Sequence, residues 1–213
     1  MADKSKTPRG LSRAFERFLE KHVKPATDEQ VHFFEASRNR RSTSSMWNEA
    51  ASAFSAISFS LDYDGLVGMI RQLAPQVVKW KKPIVISIGS ATALLEIFLA
   101  KTFPAWRVVC VDFAQKMNEE GRRLAQKLRL SNIYFLTADA KKLPFKEFSV
   151  DYALCIGVWE NLSEPERGMA IKELGQVLKP MTLANEQRII VGTSDDIQQE
   201  VGKVVHFEGG IEQ

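Results

Sequence analysis

Between residues 84 and 191 short apolar runs alternate with longer amphipathic stretches in a regular order. Ile84-Val85-Ile86-Ser87-Ile88 follows Pro83 as a β-branched run, the pattern of a strand buried on both faces. Gly89 to Ala93 turn the chain into a helix expected over Leu94 to Lys101. Val108 to Val111 form a second strand that closes on Asp112, and a long helix follows from about Gln115 to Leu128. Ile133 to Leu136 and Tyr152 to Ile156 read as the third and fourth strands, the latter after a turn around Lys146 to Ser149. Pro165 to Leu178 reads as the next helix, stopped by Pro180, and Ile189-Ile190-Val191 as a fifth strand. Strand-helix alternation of this kind predicts an α/β fold, a Rossmann-like three-layer sandwich with a mostly parallel sheet, helices on both faces and right-handed crossovers.

The front of the chain has a different texture. Behind Ser12, the residues Leu11, Phe15, Phe18, Leu19 and His22 recur at helical spacing, predicting a short amphipathic helix docked on the main body. A second helix is expected from Asp28 to about Arg38, and a third over Leu66 to Leu73, ended near Pro75. Residues 1–45 carry ten lysines and arginines against six acids, so they read as a basic helical extension ahead of a main domain over 46–213. The run Arg38, Arg40, Arg41, Ser42, Thr43, Ser44, Ser45 reads as a solvated hinge, with a phosphate-contacting patch as the alternative. After the fifth strand there is room for a short helix near Asp195 to Val201 and a strand near Val204 to Phe207, an abbreviated C-terminal end.

Composition narrows the function classes. With 213 residues, 45% hydrophobic and 26% charged, the chain has the apolar content for one folded domain with an extension. A net charge of +3 is too small to announce a nucleic-acid binder. No apolar run approaches the roughly 20 residues a bilayer span requires, and the polar start lacks the pattern of a secretion signal, so a cytoplasmic location is the expectation. Cys110 and Cys155 lie inside apolar runs and read as buried thiols. His22, His32 and His206 fit neither a metal-ligand spacing nor a nucleophile-base pair, and no metal is expected.

In an open parallel sheet, ligands bind outside the carboxyl ends of the strands, where strand order reverses. Gly89-Ser90-Ala91-Thr92-Ala93 is a turn of small residues that lets backbone approach a ligand and leads into a helix N-terminus. Asp112 ends the second strand 23 positions after Gly89, near the separation at which an acid receives ribose hydroxyls. Asp139, just past the third strand, is suited to accept from an exocyclic amine. Each has a plainer reading as an ordinary connection or a helix cap. Their conjunction, in this order, describes an adenosine pocket.

With Val85–Ala93, Val109–Met117, Thr137–Phe145, Val150–Leu162 and Leu174–Pro180 in view, the stretch from about Trp47 to Pro180 resembles a class I S-adenosylmethionine-dependent methyltransferase, of the methyltransferase type 11-like group. The resemblance implies S-adenosylmethionine as cofactor. It would set Gly89, Ser90 and Ala91 against the methionine part, Asp112 on the ribose, and Phe113 beside the adenine. Asp139 and Ala140 would lie at the adenine edge, and Ile156 with Gly157 beneath the methionine arm. Glu160 and Asn161, after the fourth strand, would face the acceptor, with Glu160 able to take its proton. Trp159 could offer an aromatic face to the sulfonium or simply pack in the core. The sequence departs from the family pattern at Ser87, where an acid is usual, at Ala91 and Ala93, where glycines are usual, and at Met181-Thr182 after Lys179-Pro180. An alanine at 93 would be strained if its φ were positive.

The leading expectation is an S-adenosylmethionine-dependent methyltransferase acting on a small molecule by in-line methyl transfer. Two alternatives stay open. One is a non-catalytic methyltransferase-like binding or partner subunit. The other is an RNA or protein methyltransferase that engages its partner through the basic extension, the less favoured reading. A membrane partner is not expected, and oligomeric state is not legible. The glycine spacing of a nicotinamide-binding fingerprint is absent.

Overall fold

β-Branched and apolar runs form five strands in the computed structural model, which describes residues 7–38, 43–180 and 189–191. They are β1 (Ile84–Ile88), β2 (Arg107–Asp112), β3 (Ile133–Thr137), β4 (Tyr152–Cys155) and β5 (Ile189–Val191), each within one residue of the sequence expectation. All pair in parallel, in the order β3-β2-β1-β4-β5. From β1 the chain builds outward through β2 to β3, then returns past β1 to add β4 and β5. Strand order therefore reverses between β1 and β4, and a crevice opens at their carboxyl ends.

Strand side chains alternate between two cores. Val85, Val108, Cys110 and Leu154 enter one, while Ile86, Ile88, Val111, Ala153 and Cys155 enter the other. The first core is covered by α1 (Pro8–His22), α4 (Tyr63–Val77) and α5 (Leu94–Thr102), with α6 (Gln115–Lys127) contributing Ala125. The second is covered by α7 (Glu164–Val177) through Ala170, Leu174 and Val177. Helices on both faces of one parallel sheet make the three-layer sandwich. Both cysteines are buried and free.

α1 forms for the reason its spacing suggests. The Thr7 hydroxyl caps it by accepting from the Gly10 N–H at 3.1 Å, and Leu11, Phe15, Phe18 and Leu19 are buried. The Phe15 ring centroid lies 5.0 Å from that of Phe98 on α5, so the extension shares the core of the sheet. α2 (Asp28–Arg38) also stands where expected.

Two local expectations are corrected. Ser44 and Ser45 do not belong to a hinge: they form the first turn of α3 (Ser44–Leu61), capped by the Thr43 hydroxyl, which accepts from the Met46 N–H at 3.3 Å. Arg40, Arg41 and Ser42 lie outside the described residues. α4 does not end near Pro75 but runs to Val77, because Leu73, Ala74 and Val77 are buried in the first core and their burial outweighs the proline penalty of ~3 kcal/mol. The helix and strand expected after residue 191 lie outside the described residues. Among the described residues no helix is long and apolar enough to cross a membrane.

Candidate active site

The turn after β1 is drawn over β2 by its own backbone. The Gly89 and Ser90 N–H groups both donate to the Val111 carbonyl, at 2.8 and 3.2 Å. Gly89 has φ +64°, and a Cβ there would stand 2.9 Å from Val158, so this position takes only glycine. Ala91 and Ala93 also adopt positive φ, 48° and 58°, the left-handed conformation that costs a non-glycine residue roughly 1–2 kcal/mol. The strain is held by the Ala91 N–H on Asp112 Oδ2 at 2.9 Å, the Ala93 N–H on the Ser90 carbonyl at 2.8 Å, and the Ser55 hydroxyl on Thr92 Oγ1 at 2.8 Å. Ala93→Gly is therefore expected to raise stability by about 0.5–1 kcal/mol, after allowing for the looser unfolded chain. A higher denaturant midpoint at unchanged slope would register this.

Asp112 ends β2 with 6% exposure. Its Oδ1 accepts the Ala114 N–H at 2.8 Å while Oδ2 accepts that of Ala91, so one carboxylate joins the turns after β1 and β2. Burial pushes its pKa up, opposed by the Ala114 and Ala91 N–H groups. Each oxygen keeps further acceptor capacity for a ligand hydroxyl. Below it, Asn118 Nδ2 donates to the Asp112 and Leu136 carbonyls and to Thr137 Oγ1, closing the ends of β2 and β3.

A second buried carboxylate lies nearby. Glu96, on the first turn of α5, is 4% exposed and accepts the Ser87 hydroxyl at 2.6 Å. Burial raises its pKa; the bonds from Ser87 and its own backbone N–H oppose the shift, and Asp112 adds to it. The sequence marks Ser87 only as a missing acid, and Glu96 is hidden inside the apolar run Leu94-Leu95-Glu96-Ile97-Phe98.

Asp139 is exposed just past β3. Its Oδ1 accepts the Lys141 N–H at 2.9 Å, and Lys141 Nζ lies 3.2 Å from Oδ2 and 3.1 Å from Glu166 Oε1. Glu166 also accepts the Ser163 N–H and hydroxyl that cap α7, and these bonds, with Lys141, hold its carboxyl at about 2. This cluster ties the segment after β3 to α7. Beyond β4, Gly157 (φ +66°) accepts the Asn161 side-chain amide at 3.0 Å. Glu160 shares the short turn Trp159–Asn161, but its side chain lies outside the described part of the structure. Of the two readings of Trp159, the structure takes core packing: it is 1% exposed, in the second core.

These segments converge on a cavity of about 410 Å³ at the carboxyl ends of β1 and β4. Gly89, Ser90, Ala91, Asp112, Phe113, Asp139, Ala140, Ile156, Gly157 and Asn161 all line it. The wall that sequence reasoning missed comes from before β1: Trp47 and Phe54 on α3, and Leu66 and Met69 on α4. α3 is anchored by the Ser44 hydroxyl on the Phe113 carbonyl at 3.3 Å and by Asn48 Oδ1, which accepts the Lys116 N–H at 2.9 Å. A signal was present, since Trp47, Ala50, Ala51, Phe54 and Ile57 recur at helical spacing. A volume in the small-molecule range, a two-oxygen acceptor at one side and an apolar wall at the other fit a nucleoside.

Residues 85–181 match the family described as "Methyltransferase domain". The chain is 33% identical over 110 residues to a demethylmenaquinone methyltransferase of Staphylococcus carnosus (strain TM300), covering 51% of this chain and 43% of that one. It is 30% identical over 135 residues to the demethylmenaquinone methyltransferase of Staphylococcus haemolyticus (strain JCSC1435), covering 58% and 54%. The chain thus spans about half the length of the curated relatives it matches. Among solved structures, a Methanococcus maripaludis protein assigned to the S-adenosyl-L-methionine-dependent methyltransferases superposes with a TM-score of 0.57 at 18% identity, over 76% of this chain and 71% of that one, a likeness of fold. Residues 85–181 thus carry the match to a methyltransferase domain, on a parallel sheet whose strand order reverses over the cavity and whose fold is that of the Methanococcus maripaludis protein.

Proposed function

We propose that this protein binds S-adenosylmethionine over the β1/β4 reversal and transfers its methyl group to a small, largely apolar acceptor. One observation carries the reading: the three strand-end segments picked out for an adenosine pocket, together with the turn after β4, line a single cavity. When bound, the cofactor supplies a methyl on a sulfonium, an electrophile with a good leaving group. The protein's work is then alignment and exclusion of water. In this reading Asp112 takes the ribose hydroxyls, and Phe113, Asp139 and Ala140 flank the adenine. Gly89, Ser90 and Ala91, with Ile156 and Gly157, border the amino-acid arm. Trp47, Phe54, Leu66 and Met69 form the acceptor's side, and Glu160 and Asn161 are offered to its reacting group.

The acceptor class rests on those four apolar side chains and on relatives whose named substrate is demethylmenaquinone. Residues 1–45 act as a brace and residues 46–213 as the catalytic body, with α3 closing the cavity across their boundary. The non-catalytic reading is favoured by Ser87 and by the two strained alanines, yet the turn reaches its left-handed geometry without glycine at 91 and 93.

Calorimetry with S-adenosylmethionine, followed by transfer of labelled methyl to quinol-like and to water-soluble acceptors, tests the proposal. One-to-one binding and labelling of the apolar acceptors are expected. Binding without any turnover, or a folded protein that takes up no cofactor, would end the catalytic reading and favour the partner-subunit one.

A further inference from the structure

Glu96 is buried beside the cavity with an acid's charge to satisfy and little to satisfy it. Its carboxyl accepts the Ser87 hydroxyl on Oε1 and is favoured by its own backbone N–H, whereas Asp112 has the N–H of another residue on each oxygen. Among the described residues, the ionisable groups around it offer no counter-charge. Asp112 faces it from β2, Cys110 on the same strand is a buried thiol pushed far above its ordinary value, and Asp62 lines the same cavity from the end of α3. The basic side chain of the lining, Lys141, is already held by Asp139 and Glu166. A buried carboxylate without a cation is strongly unfavourable, so burial in the empty cavity favours the protonated form of Glu96 and raises its pKa.

We propose that Glu96, aimed by Ser87, is the cavity's ammonium-holding group, receiving the positively charged amine of the bound ligand. The inference rests on the function proposed above, in which that amine belongs to the amino-acid arm of S-adenosylmethionine. Where Glu96 carries a proton before binding, the arriving ammonium turns the carboxyl into a carboxylate and that proton passes to solvent. Ligand uptake is thus coupled to release of a proton, and affinity for the amine-bearing ligand rises with pH across the interval in which Glu96 would otherwise stay protonated. The acid that the strand position Ser87 lacks is supplied from the facing helix instead.

Two probes separate the arm from the nucleoside: S-adenosylhomocysteine, which carries the amine, and 5′-methylthioadenosine, which does not. Calorimetry of the full chain in buffers of different ionisation enthalpy reads both affinity and proton release. Glu96→Gln is expected to weaken S-adenosylhomocysteine by roughly 10–100-fold. It is expected to leave 5′-methylthioadenosine within about twofold and to remove the proton release, since no charged-group bond to that ligand is lost. Ser87→Ala, which deletes only the aiming hydroxyl, is expected to weaken S-adenosylhomocysteine by about 2–10-fold.

Equal loss for both probes in Glu96→Gln, or no loss for either, overturns the assignment. So does a wild-type protein that binds the two probes equally well. Wild-type protein that binds neither overturns the function reading itself, a result distinct from these. Should the glutamine variant fail to fold, a Ser87→Ala protein with unchanged preference between the probes is the overturning result.

The titration has a ligand-free consequence. A carboxyl with its folded pKa raised above the ordinary 4.5 binds more protons folded than unfolded, so its contribution is fully present below 4.5 and is lost as pH rises through the raised value. Wild-type protein is therefore expected to lose stability relative to Glu96→Gln over that rise.

Discussion

Asp112→Ala is expected to weaken S-adenosylmethionine binding by roughly 100-fold or more, a loss of about 3 kcal/mol. Two effects add. The ligand loses a charged acceptor for its hydroxyls, where hydrogen bonds contribute about 1.5–3 kcal/mol. The turns after β1 and β2 also lose the carboxylate that holds them together, leaving the Ala91 and Ala114 N–H groups without their acceptor. Because Ala91 already sits at φ 48°, that turn has a strained backbone to relax once released. Asp112→Asn keeps the shape and one acceptor, but its amide NH₂ must face one of those two N–H groups. It is expected to fall between, near a tenfold loss. Calorimetric affinities for the three proteins provide the check. An alanine variant that binds within threefold of wild type would remove Asp112 from the ligand, and with it the orientation proposed for the nucleoside.

Phe15→Ala carries the largest expected effect on folding, a destabilisation of about 3–5 kcal/mol. Phe15 is fully buried and stacks among Phe18 and Phe98, in the core that also receives Val85 of β1 and Leu154 of β4. Its removal leaves a cavity between α1 and α5 that rigid sheet side chains cannot fill. Arg13, exposed on the same helix, is the matched control, and Arg13→Ala is expected to stay within about 0.5 kcal/mol. Denaturant unfolding of both variants gives the comparison. A Phe15→Ala loss below about 1 kcal/mol would mean that α1 rests on the body instead of completing its core. The same contacts imply that deleting residues 1–45 removes part of the core along with the basic charge. Point substitutions of the exposed lysines and arginines are therefore the cleaner probe of any polyanion contact.

How legible the molecule was depended on the kind of physics involved. Ile84–Ile88 and Ile133–Leu136 could be read as strands because a parallel strand buried on both faces writes itself as an unbroken apolar run. Asp112 and Asp139 stood out because polar residues ending such runs project beyond the sheet. α3 did not stand out: its alanines and serines carry a weak apolar stripe, and only its contacts with the turns after β1 and β2 reveal it as a cavity wall. Pro75 marked a helix end by local rules, but the burial of Val77 carried α4 past it. Glu96 was hidden for the opposite reason. A lone acid in an apolar helical run reads as a surface position, and which way it points is set by how α5 lies on β1.

Local sequence determined the succession of strands and helices, the buried stripe of α1, and the acids at the strand ends, since apolar periodicity and turn chemistry act over a few neighbouring residues. Tertiary structure decided the rest. It set the reversal between β1 and β4, the left-handed backbone at Ala91 and Ala93, the burial of Glu96 against Ser87, and the closing of the cavity by α3. The reversal, the Asp112 bond that holds Ala91 and the packing of α3 join groups far apart along the chain, where the energy of a contact outweighs the preference of the residue that makes it.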